Sequence, residues 1–260
     1  MFTGRPAQDE DDGTGVSMKR FHEMFETSQL FTTGVGIRYE PNVLVSTADT
    51  TDSELVCRKG WCHSNSDQEV ATECRPGTRF ASHKVVNQAD PRPWELHHLM
   101  PSDGRFRIVV FGGNISQPAQ RDLVNALGEW LWTSLLPRYP RIALSPAGRR
   151  QMEADGDTQP IDVLLVHAAD RKDIELLTDL HQVYHPFDAK LGWDHDKTFV
   201  DGPSYHEEHT RAYEGYGVDA DRGAAVVVRP DGCIGLVTSL EMGRHKMRKW
   251  FDAVLRCSDG

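Results

Sequence analysis

From residue 104 onward, runs of β-branched apolar residues alternate with stretches of helical period, and this order constrains the fold more than any other feature of the chain. "GRFRIVVFGG" reads as a buried strand over residues 106–111, stopped by Gly112 and Gly113. "SQPAQRDLVNALGEWLWTSLL" follows as a helix. Ser116 stands at its N-cap, Pro118 in its first turn, and Leu123, Leu127, Trp130, Leu131 and Leu135 on one face. "IDVLLVHA" is a second buried strand and "DRKDIELLTDLHQVY" a second amphipathic helix. "SYHEEHTRAYEGYG" reads as a third helix, ending at Gly217 in the position glycine favours after a helix. "GAAVVVRP" and "CIGLVTS" form a hairpin, and a last helix runs from about Leu240 to Leu255.

A βαβα half followed by ββα is the connectivity of the thioredoxin fold. Right-handed crossovers set the first two strands parallel and leave the last two as an antiparallel hairpin. The expected class is therefore α/β, thioredoxin-like, with an N-terminal arm over residues 1–45 and the folded domain over 46–260. Within the arm, residues 1–16 are polar and "SMKRFHEMFETSQLF" is helical, with Ser17 as N-cap and Phe21, Met24 and Phe25 on one face. "IRYEPNVLV" is extended, with Pro41 favouring an edge. Residues 46–78 are polar and read as a long loop or insertion, and "GTRFASHKVV" as a strand.

The formal net charge of -10 disfavours binding to nucleic acid or to an anionic membrane surface. No run approaches the roughly 18 apolar residues of a spanning helix. "MFTGRPAQDEDD" lacks the basic and apolar regions of a secretory signal. Five cysteines, an odd number, fit reduced thiols, and a cytoplasmic location is expected. The sequon at Asn114 is then silent.

Redox chemistry of the thioredoxin kind needs Cys-x-x-Cys just after the first strand, where a helix N-terminus lowers the thiol pKa. The chain has "GGNISQPAQ" there. Cys57, Cys62, His63 and Cys74 are zinc-ligand types, but no second closely spaced pair follows the first. "HEEH" at His206–His209 lacks the i, i+4 histidines of a zincin, and His97–His98 and "WDHD" read as ordinary surface or packing residues. "GVGIRY" and "GTGVSM" each lack the third glycine of a dinucleotide fingerprint, Tyr39 and Met18 standing in its place. No nucleophile elbow or phosphate loop is present. "FVDG" reads as a capped turn, and Arg229 is expected to pair with Asp231 or a nearby carboxylate at the hairpin turn.

Taken in order, "FTGRPAQDEDDGTGVSMKRFHEMFETSQLFTTGVGIRYEPNVLV", "GTRFASHKVVNQADPRPWELHHLMPSDGRFRIVVFGGN" and "KTFVDGPSYHEEHTRAYEGYGVDADRGAAVVVRPDGCIGLV" resemble the C-terminal part of fungal phenol 2-monooxygenase (phenol hydroxylase)-type enzymes, with the segment that leads into it. The resemblance implies a thioredoxin-like domain without redox cysteines, associated with dimerisation. In that family FAD, NADPH and the phenol are handled by a longer N-terminal part, whose fingerprints have no counterpart here. The implied function is a stand-alone or truncated accessory and dimerisation domain that holds no cofactor and catalyses no hydroxylation alone. Its implied partners are a second copy or a flavin hydroxylase domain, and the interface candidates are Phe21, Phe25 and Phe31 in the arm, with Trp130 and Trp132 if they face outward. The alternative is a cofactor-free isomerase, cyclase or hydrolase of a fungal aromatic or polyketide pathway that reuses this fold, with a small aromatic compound as the candidate ligand. Its acid/base candidates are His195, Asp201, Tyr205, His206 and His209.

Overall fold

The computed structural model describes residues 18–32, 34, 36–46, 66–143, 157–205 and 208–255. The chain divides into two units, Met1–Arg38 and Tyr39–Gly260. The first contains helix α1 (Met18–Thr32), on which Met24 and Phe25 are exposed. The Ser17 cap and the Phe21 and Phe31 side chains lie outside the described residues.

The second unit is built on a seven-stranded mixed sheet. Its strands are β1 (Lys84–Asn87), β2 (Pro93–Glu95), β3 (Phe106–Gly113), β4 (Ile161–His167), β5 (Thr198–Val200), β6 (Ala224–Val228) and β7 (Ile234–Thr238). Their spatial order is β7-β6-β3-β4-β5-β1-β2. β3, β4 and β5 run parallel, with Ile108 opposite Val163 and Val166 opposite Phe199. The hairpin β6–β7 lies antiparallel beside β3, with Val226 opposite Val109. On the other flank β1 pairs antiparallel with β5 and β2 with β1.

β3, β4, β6 and β7 are buried at every residue, which is why their sequences read as unbroken apolar runs. Alternate side chains of each strand enter different cores. Ile108 and Val110 face a core with helix α2 (Pro118–Trp130), while Val109 and Phe111 face a second core with Phe80 and Tyr216. The first core also takes Met247, Trp250 and Phe251 from the final helix, Gly243–Val254.

Several expectations are corrected. Ser116 is not the cap of α2, because its Oγ donates to Asn114 Oδ1 and the cap position is Gln117. "DRKDIELLTDLHQVY" is not one helix but three single turns, Arg171–Asp173, Leu176–Asp179 and Gln182–Tyr184. Side chains offer its amides local partners: Asp170 accepts from Lys172, Asp179 from Glu175 and His181 from Val183. Such bonds compete with a continuous helix. Among its described residues, "SYHEEHTRAYEGYG" is helical at its end, in α3 (Ala212–Tyr216), with Pro203 and His209 bridged as extended chain. Its Gly217 does adopt the left-handed terminating conformation (φ 63°). Phe199 and Val200 of the supposed "FVDG" turn belong to strand β5 (Thr198–Val200), too short at three residues to carry a period.

Residues 66–78 of the polar stretch are packed rather than loose. Val70, Ala71 and Cys74 enter the second core, and the backbone bonds onto the hairpin through Asp67 N–H to Val237 O (2.8 Å) and Gly77 N–H to Ile234 O (2.8 Å). Residues 39–46 also belong to this unit, with Tyr39 N–H donating to Gly77 O and Ser46 N–H to Gly235 O. Together they cover the outer edge of β7, an exposed edge that would otherwise invite pairing.

Candidate functional site

In parallel α/β sheets, ligands bind beyond the carboxyl ends of the strands, where helix and turn amides offer donors. Here β3, β4 and β5 end together at Gly113, His167 and Val200. The donors at that place are already used within the chain. Gly113 N–H donates to Tyr213 Oη (2.7 Å), whose own hydroxyl donates to Val166 O (2.9 Å). Asn114 N–H donates to Ala220 O (2.7 Å) and Ala168 N–H to Gly113 O (2.9 Å). Gly113 has φ 71°, and a Cβ there would sit 2.6 Å from Ala220 O, so the 219–223 turn closes directly over it. A dinucleotide pyrophosphate needs free amides and close approach, and this turn does not fit one.

Beside it lies His167, fully buried at the end of β4. Its Nε2 is 3.1 Å from Gln88 Oε1, and the Gln88 amide donates to Arg171 O and Ile174 O. The Gln88 oxygen can only accept, so Nε2 carries the proton. Burial pushes this histidine down to about 4, the Ala169 backbone offsetting little, so it is neutral at pH 7.

Asp201 follows β5 and is buried. Its Oδ1 accepts from Thr210 Oγ1 (2.6 Å) and Ala212 N–H (2.9 Å), and its Oδ2 from Tyr213 N–H (2.8 Å). It therefore caps α3 and has little acceptor capacity left for a substrate. His209 Nδ1 approaches Asp201 Oδ1 to 3.5 Å, yet that nitrogen accepts from Arg211 N–H (3.1 Å) and holds no proton to give. His195 is exposed, with its carbonyl accepting from Asn87. Tyr205 is 86% exposed. His206 lies outside the described residues. Among the four described candidates, the structure brings Asp201 and His209 together.

A polar surface cleft of about 400 Å³ is lined by Ser82, His83, Lys84, Glu95, Glu208, His209 and Thr210. Ser82 Oγ donates to Glu95 (2.8 Å), and the His83 ring sits edge-on to Tyr216 at 4.5 Å. Among the described candidates, His209 lines it.

Of the cysteine set, Cys57, Cys62 and His63 fall outside the described residues. Cys74 is buried in the second core and its thiol is pushed up to about 12 by burial. No cluster of three or more metal-binding side chains occurs among the described residues. His97 Nε2 donates to Phe80 O (2.7 Å), a structural role.

At the opposite, amino-terminal ends of β3 and β4 lies a charge cluster not expected from the sequence. Asp103, Arg105, Arg107, Asp162 and Lys197 are all buried. Arg107 Nη2 donates to Asp103 Oδ2 (2.7 Å), Arg105 Nε to the same oxygen (2.8 Å), and Lys197 Nζ to Asp162 Oδ1 (2.6 Å). Burial alone would raise the Asp162 carboxyl, but Lys197, Arg105 and Arg107 outweigh it and hold it well below the usual range. The available signal was a lone carboxylate inside "IDVLLV" and arginines at alternate positions of "RFR", charges on faces that burial otherwise keeps apolar.

Together these features describe an α/β module with a sheet covered on both faces and its strand ends sealed by its own side chains. No helix among the described residues is long and apolar enough to cross a membrane.

The chain belongs to the phenol hydroxylase C-terminal dimerisation domain family, whose family model matches residues 37–259. It is 32% identical over 239 residues to phenol 2-monooxygenase fsqG of Aspergillus fumigatus, covering 92% of this chain and 35% of the relative. It is 30% identical to FAD-dependent monooxygenase terD of Aspergillus terreus, over 87% of this chain and 32% of the relative. A 3-hydroxybenzoate 4-monooxygenase of Comamonas testosteroni is 30% identical over 98% of this chain and 35% of its own length. The chain thus spans about a third of the length of these curated relatives.

Proposed function

We propose that this chain is an accessory assembly module. It pairs with a second copy of itself and so joins flavin-dependent aromatic hydroxylase units in a cytoplasmic enzyme, without holding flavin or performing the hydroxylation itself. The observation that carries this reading is the sealed turn at Gly113, where Tyr213 and Ala220 take up the amide and the space that a cofactor phosphate would need. The match to a dimerisation domain over residues 37–259 supports the assembly role. The parallel β3–β4 pair flanked by the antiparallel hairpin supports a thioredoxin-like reading of the core, with three separate turns standing in for its second helix.

The test is to purify the chain, measure its mass in solution, and titrate it with FAD by absorbance and fluorescence. A dimer that retains no flavin is expected. Yellow protein with close to one FAD per protomer, or a strictly monomeric chain at high concentration, would sink the reading.

A further inference from the structure

Resting on that reading of the chain as self-associating, we propose that the hairpin Phe187–Trp193 is the centre of the contact with a second copy. Its two strands, Phe187–Asp188 and Gly192–Trp193, pair with each other and with no strand of the main sheet. Hairpins of two-residue strands are marginal in water alone. This one is fixed by its turn and its rings. Asp188 Oδ1 accepts from the amides of Lys190 (2.7 Å) and Leu191 (3.0 Å), and Asp194 N–H donates to Pro186 O (2.9 Å). The Phe187 and Trp193 rings lie 4.9 Å apart, and Trp193 packs 5.3 Å from the buried His185, whose Nε2 donates to Leu180 O. The platform is ordered before any partner arrives, so association loses little further entropy.

Within the chain the hairpin leaves Phe187 60%, Leu191 40% and Trp193 39% exposed. Three such side chains within seven residues amount to roughly 300 Å² of apolar surface. Mirrored about a twofold axis this becomes about 600 Å², more than a third of a standard interface of about 1,600 Å². Aromatic anchors at the centre of a polar rim are the usual energetic core of such contacts.

Charge argues for a second copy as the occupant. A chain of net charge -10 repels its own image across most of its surface. Exposed Leu177, for comparison, sits between Glu175 and Asp179. The hairpin tip carries Asp188 and Lys190, one charge of each sign, so it is neutral toward its own image. In a twofold contact a residue i that faces j makes j face i, so setting Lys190 of one copy against Asp188 of the other forms that pairing twice.

Sedimentation velocity and hydrogen exchange of the 260-residue chain across a concentration series test this. Phe187→Ser and Trp193→Ser are each expected to raise the dimer Kd at least about tenfold, because symmetry makes each change count twice. Leu177→Ser is expected to leave it within about twofold. In the unaltered chain, amides of residues 187–194 should slow in exchange as the concentration rises through Kd, a readout that needs no variant to fold. A dimer whose 187–194 amides exchange at the monomer rate would overturn the hairpin assignment, leave the assembly reading standing, and release this surface to another occupant such as a flavin-binding body. A chain that stays monomeric throughout would overturn both.

Discussion

Lowering the pH should unfold this domain through His167 before its carboxylates begin to matter. The imidazole is held neutral by burial at the end of β4, with its pKa moved from the ordinary 6.5 to about 4. Below pH 6.5 the unfolded chain takes up a proton at this residue that the folded chain refuses until about pH 4. The unfolded state therefore binds more protons, and stability falls as pH falls across that window. The difference corresponds to about 3 kcal/mol in full and about 2 kcal/mol at pH 5. Above about pH 7.5 the group contributes almost no slope. His167→Gln removes the titration while keeping an amide donor for Gln88 Oε1. Urea unfolding followed by tryptophan fluorescence from pH 7.5 to 5 should show the unaltered protein losing about 2 kcal/mol more than the variant. The other histidines, Asp162 and Asp103 are common to both proteins and cancel in the comparison. Parallel curves would refute the argument, since they would mean that the folded state accommodates the imidazolium.

Two further substitutions probe the two ends of the sheet. Tyr213→Phe removes the hydroxyl that bridges Gly113 N–H and Val166 O, leaving buried backbone groups unsatisfied, and should cost about 2–3 kcal/mol in urea melts. A loss below about 0.5 kcal/mol would mean that other groups take over these bonds. Lys197→Met strips the cation from the buried Asp162 carboxylate and should cost about 3–5 kcal/mol at pH 7. Because Asp162 is held below its ordinary range partly by Lys197, that cost should shrink as pH falls and the carboxyl protonates. A cost independent of pH would point to packing instead.

The strands and the hairpin were legible because burial on both faces leaves unbroken apolar runs such as "RIVVFGG" and "AAVVV". Gly217 and the Arg229–Asp231 pair were legible because each depends on neighbours along the chain. The turns after β4 were misread as a helix, since "DIELLTDL" has helical apolar spacing and only the local bonds of Asp170, Asp179 and His181 break it. Strand β5 escaped notice at three residues, below the length at which alternation means anything.

The candidate acid/base groups were chosen by type, and their roles depended on convergence that sequence spacing does not encode. Asp201 became a helix cap because residues 212 and 213 return to it, while Tyr205 stayed 86% exposed.

By itself, the sequence determined which segments must be buried, the α/β class, the absence of a Cys-x-x-Cys or a complete dinucleotide fingerprint, and the resemblance carried by its ordered motifs. These follow from residue type and short-range periodicity. Only the tertiary structure decided that Tyr213 seals Gly113 from 100 residues away, that three cations and two carboxylates from three segments pair inside the sheet base, and that the Phe187–Trp193 pair is left facing water. Each of those depends on distances between residues far apart in the chain, set by how the layers pack.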